Sequence, residues 1–182
     1  MTEALARAGL RWSGGNGTII DYYQWQRESG PVEVGANIHH EPMGDNQRAD
    51  LPSSFMIVFL DDKDFPEDGM IEARRELLRE FLLLGEKIWG ILAPEEGNLA
   101  PEESGPFLGR IIAPSEKDVM ICVRQTYAVF INPEIQHRFN IPACLDSMHP
   151  RPKTKAIANG GLLIVWDDSP EGVARFFSES WG

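Results

Sequence analysis

The sequence predicts an α+β fold: a single domain with a mostly antiparallel or mixed sheet of about five to seven strands, packed on one long helix. A short second helix is expected near the C-terminus, over residues 170–180. Three observations carry this reading. Phe55–Leu60 is a continuous apolar run, the pattern of a strand buried on both faces. Residues 69–92 repeat apolar side chains at spacings of three and four, through Met70, Ala73, Leu77, Phe81, Leu84, Ile88 and Leu92. Ile71, Leu78, Leu82 and Trp89 widen that stripe, so the helix should be wedged between the sheet and further chain. Val32–His39 alternates Val32, Val34, Ala36 and Ile38 with Glu33, Gly35, Asn37 and His39, as a half-buried strand does.

The remaining elements follow in order. Ala4 to Leu10 has room for two helical turns, and Ser13-Gly14-Gly15-Asn16-Gly17 is expected to end regular structure. Residues 18–26, β-branched and aromatic, read as a strand that forms a hairpin with Val32–His39 across the Glu28–Pro31 turn. Residues 40–54 read as a surface loop, since Pro42, Gly44, Asp45, Asn46 and Pro52 favour turns. Behind Phe55–Leu60 comes an acidic turn in which Asp68 is the expected N-cap of the long helix. Gly90 and Pro94 bound the far end of that helix.

Residues 93–106 repeat Pro-Glu-Glu at 94–96 and 101–103 without apolar periodicity, so a long acidic loop is expected there. Residues 108–113, 119–124 and 126–131 read as strands. Residues 132–155 hold Pro133, Pro142, Pro150 and Pro152 and read as loop with at most a helical turn. A last buried strand is expected over 155–166. Ser169-Pro170-Glu171 has the N-cap-then-proline order that opens a helix.

A chain of 182 residues with 42% apolar and 25% charged side chains has ordinary globular composition. Its two cysteines, Cys122 and Cys144, are too few for a disulfide framework. The opening Met1-Thr2-Glu3 lacks a signal-peptide pattern, and a cytoplasmic protein is expected. The net charge of −11 is unevenly spread. Residues 1–50 carry four basic and seven acidic groups, 51–92 five and nine, and 93–118 two and six, whereas 119–182 carry six of each. Such a field repels nucleic acid and anionic membranes and speeds encounter with a basic protein.

Chemistry-bearing motifs are sparse. Asp61-Asp62 and Asp167-Asp168 each follow a buried run and could hold a divalent metal at strand ends, but aspartate is also the usual residue of strand-to-helix turns. His39 and His40 alternate across a strand, so only one can face a given ion, and no His-Glu-x-x-His accompanies them or His137 and His149. Cys122 lies in an apolar strand and reads as core, and Cys144 lacks a base positioned by any motif. Ser13–Gly17 precedes a strand and so is not a strand-loop-helix phosphate cradle. The short basic cluster His149, Arg151, Lys153 and Lys155 sits inside an acidic protein.

What remains is surface physics. Of the aromatic residues, Trp12, Tyr22, Tyr23, Trp25 and Trp181 fall near expected edges and termini. Aromatic anchors ringed by carboxylates are the makings of a protein interface. The sequence therefore predicts a noncatalytic inhibitor or immunity-type protein that neutralises a basic partner such as a toxin. Its binding residues are expected to be Glu95, Glu96, Glu102, Glu103, Asp45, Tyr22 and Trp25, with no catalytic residue, metal or cofactor and neither nucleic acid nor membrane as partner. The competing expectation is a small metal-dependent hydrolase built on the strand-end aspartates or on His39 and His40.

Overall fold

The computed structural model describes residues 2–15, 21–39, 54–60, 66–67, 70–94, 96–100, 127–138, 140–146 and 151–165. The elements are α1 (Thr2–Arg7), β1 (Leu10–Gly15), β2 (Asp21–Trp25), β3 (Val32–His39), β4 (Phe55–Leu60) and α2 (Ile71–Leu92). They continue with β5 (Glu96–Ala100), β6 (Ala128–Ile131), α3 (Pro133–Arg138), α4 (Ile141–Asp146), β7 (Lys153–Ala156), a 3₁₀ turn (Ala158–Gly160) and β8 (Leu162–Val165).

The strands run in the order β1-β2-β3-β4-β5-β6-β8-β7. Every neighbouring pair is antiparallel except β4 and β5. The sheet is thus two antiparallel blocks joined along one parallel seam. The seam exists because α2 carries the chain back between β4 and β5, the connection a parallel pair requires. The α+β class stands. The expected five to seven strands on one long helix do not, because the described residues hold eight strands and four α-helices.

Three corrections come from segments rich in turn residues. The Ser13–Gly17 break is strand as far as Gly15, because β2 supplies a hydrogen-bonding partner for glycines that would not hold a strand alone. Residues 93–106 were expected to be an exposed loop, yet Glu96–Ala100 is a central strand between β4 and β6. Its backbone is paired on both sides, which overrides its poor local propensity. The 132–155 stretch also differs, holding α3, α4 and the start of β7. Asn132 caps α3, its Oδ1 accepting from the Ile135 N–H at 2.8 Å, with Pro133 at the first helical position. The expected strands at 108–113 and 119–124 and the helix at 170–180 lie outside the described residues.

α2 begins at Ile71, two residues later than expected. Met70 occupies the cap position and makes no side-chain cap bond, while Asp68 lies outside the described residues. The approach is held instead by Arg74, whose Nε donates to the Pro66 carbonyl at 2.7 Å. At the other end Gly90 stays helical, and Ala93 takes the left-handed conformation, its N–H bonding the Trp89 carbonyl at 2.7 Å.

The face of α2 with Leu77, Phe81, Leu84, Ile88 and Trp89 packs on the sheet. Phe81 meets Trp25 of β2 at a ring separation of 6.2 Å, and Trp89 stacks on Phe130 of β6 at 5.7 Å. Gly85 lets the helix come close: a Cβ there would lie 2.8 Å from Leu99 and 2.9 Å from Phe130. The Trp89 indole also donates to the Ala158 carbonyl at 3.4 Å, tying the helix to the 3₁₀ turn. β4 is buried throughout. Met56, Val58 and Leu60 join the α2-side core, while Phe55, Ile57 and Phe59 form a separate cluster on the other face with Tyr22 packed against it.

Candidate functional site

Across β1 to β4, on the face away from α2, the register sets Gly14 beside Tyr22, Tyr22 beside Gly35 and Gly35 beside Phe59. The alternation of glycine and aromatic has a steric cause. The Phe59 ring lies over Gly35 so closely that a Cβ there would sit 2.0 Å from it. Tyr22 then meets Phe59 edge-on, with ring centroids 6.5 Å apart and planes at 82°. Over Gly14, on the other side of Tyr22, no described residue comes within 4 Å of an added Cβ.

That open side is a surface depression of about 210 Å³ lined by Ser13, Gly14, Gly15, Tyr22 and Glu33. A β-bulge between Trp12 and Gly14 leaves Ser13 without a register partner on β2. The bulge bends the strand at this point, as bulges do near sheet margins. Trp12 itself pairs with Tyr23 and so belongs by register to the α2 side, yet it is 56% exposed. Among the described strands β1 is the outermost at this end of the sheet. Along this strand the exposed tryptophan lies by register on the α2 side, and the depression lies on the opposite face.

The expected binding residues are dispersed. Tyr22 forms a wall of the depression, half-buried against Phe59. Trp25 is only 7% exposed, packed on Phe81 with the Arg27 guanidinium 5.3 Å above its ring, so it forms no part of the open surface. Glu96 starts the central strand β5 rather than standing on a loop. Asp45, Glu95, Glu102 and Glu103 lie outside the described residues. So do Asp61, Asp62, Asp167, Asp168, His40 and His149 of the competing reading. His39 ends β3 and His137 is exposed on α3. Among the described residues no group of three His, Cys, Asp or Glu side chains is placed to hold a metal ion. Cys144 is half-buried and is not in a disulfide.

Glu33, Ser13 and Gly14 are the residues that sequence reasoning misses. Glu33 reads as one polar position in an alternating strand, and Gly14 as a chain breaker. The signal available was the placement of a glycine on each side of Tyr22, but it depends on the β1–β2 register, which the bulge shifts by a residue.

Electrostatics adds one buried group. Burial, with the nearby Asp21 carboxylate accepting its hydrogen bond, pushes the Tyr23 phenol up to about 12. The group is neutral at physiological pH and acts in packing. Among the described residues no helix is long and apolar enough to cross a membrane. Comparison with protein families, with characterised proteins and with solved structures finds no match to this chain.

Proposed function

We propose that this chain is a cytoplasmic, noncatalytic protein that binds and neutralises a basic protein partner such as a toxin. The observation that carries the reading is Trp12, 56% exposed on the outermost described strand. Exposed tryptophans of this kind are enriched at the energetic centres of protein interfaces. The net charge of −11 supports the choice of a basic partner, since it accelerates encounter and disfavours nucleic acid and anionic lipid. The mechanism is steering by the acidic field followed by docking along β1.

The test is affinity capture from native lysate on the immobilised chain and on Trp12→Ala, between about 50 and 500 mM salt. The expected result is one basic protein, held at low salt, released at high salt and lost with the variant. Capture that ignores salt, or that survives Trp12→Ala, sinks the reading.

A further inference from the structure

On the α2 side of the sheet the register lines up Trp12, Tyr23, Val34 and Leu60 across four strands. Tyr23, Val34 and Leu60 are buried, and the row ends at the exposed indole of Trp12. The next row on the same face begins with Gly15 and Asp21. Asp21 is exposed, and Gly15 opposite it adds no side chain beside the carboxylate. Trp12 and Asp21 are therefore diagonal neighbours on one face of the β1–β2 pair, a separation of roughly 7–8 Å that long side chains span.

The two groups attract the same chemistry. The face of an indole attracts a cation more strongly than any other aromatic side chain does. A carboxylate only accepts hydrogen bonds and repels anions. The Tyr23 phenol donates to Asp21, which anchors the carboxylate to a core residue, but a neutral phenol leaves the charge uncompensated. None of the ion pairs among the described residues includes Asp21. An apolar group laid on Trp12 would strip water from that charge without replacing it, at a cost in affinity. We infer that Trp12 and Asp21 together hold one cationic side chain of the basic partner, with its charge over the indole and its N–H groups on the carboxylate. This rests on the protein-binding reading and names the contact through which the partner is held at β1.

The experiment is an NMR titration of the intact, isotope-labelled chain with N-acetyl-arginine amide, and with its uncharged isostere N-acetyl-citrulline amide. Shifts are expected at the Trp12 indole N–H and at the Gly15 and Asp21 amides, with the cation preferred by about threefold or more. Trp12→Ala and Asp21→Asn should each weaken the response at the remaining probes by about threefold. The first removes an exposed ring, and the second keeps its size and an acceptor for Tyr23, so both variants should fold. No shift at these groups, equal response to the two probes, or a response undiminished by either substitution overturns the inference. The probe does not involve the partner, so the two proposals fail separately. A silent surface with Trp12-dependent capture overturns the inference alone. A local response without such capture supports the cation contact and overturns the neutralising reading.

Discussion

At Gly35 the backbone lies directly beneath the Phe59 ring, so an added methyl group starts inside the ring's van der Waals envelope. Gly14 faces the same tyrosine from the opposite side, with no described residue within 4 Å of an added Cβ. Gly35→Ala should therefore destabilise the fold by about 2 kcal/mol or more through forced displacement of Phe59. Gly14→Ala should stay within about 0.5 kcal/mol, as surface changes usually do. Urea denaturation of the pair checks this, and equal effects would contradict the packing described. Tyr23 makes a prediction in pH. Its phenol is held neutral up to about 12, against 10.0 in the unfolded chain. Below pH 10 both states keep the proton and its contribution is fully present. Between pH 10 and 12 only the unfolded chain releases it, so stability falls as pH rises, by about 3 kcal/mol in all. Tyr23→Phe should flatten that part of the stability–pH curve, measured by denaturant unfolding across the window.

At the scale of the element, α2 is the piece whose stripe was readable from spacing alone, because helix period and burial coincide over its whole length. What spacing does not show is how the helix is tied down at two sides. Glu80 pairs with Arg27, which follows β2 and lies over Trp25. Glu86 accepts from Lys155 of β7 at 2.8 and 2.9 Å. The two ties are unequal. The Arg27 side chain is 12% exposed and that of Lys155 is 59%. Arg27→Ala should cost about 1–3 kcal/mol, through a partly buried carboxylate left without its partner and an uncovered tryptophan. Lys155→Ala should cost less than about 1 kcal/mol and lose that effect in high salt. Thermal unfolding of both variants with and without added salt separates them. α3 shows the opposite case of legibility. Asn132-Pro133 is the same cap-then-proline signal as Ser169-Pro170, but short helices of six residues carry too little periodicity to make it stand out from a turn.

At the scale of the molecule, the β4–α2–β5 unit binds two antiparallel blocks into one sheet. Among the described strands the central ones are paired on both sides and covered by α2, and the outer ones are paired on one side only. Amide exchange should therefore be slowest in β4, β5 and β6 and fastest in β1 and β7. Fast exchange in β5 would contradict its place in the sheet. β7 ends the other side with Lys153 and Lys155, charged residues of the kind that discourage further strand pairing. β1 ends its side with an exposed tryptophan and a bulge. That asymmetry is the reason the proposed partner is placed at β1.

The sequence by itself determined the elements whose pattern is local and long. Val32–His39 and Phe55–Leu60 are strands with the predicted bounds, and α2 is the predicted helix shortened at its start. It also determined the acidic charge, which needs no fold. Only the tertiary structure decided that Glu96–Ala100 is a central strand, since a Gly- and Asn-containing segment becomes one when partners satisfy its backbone on both sides. The candidate site was likewise a tertiary decision. Tyr22 was visible as an aromatic residue, but the glycine beside it on each neighbouring strand, and Glu33 at the same depression, come together only through a register shifted by one bulge. Period-two patterns say which side of a strand a residue takes; they do not say which residue of another strand lies opposite.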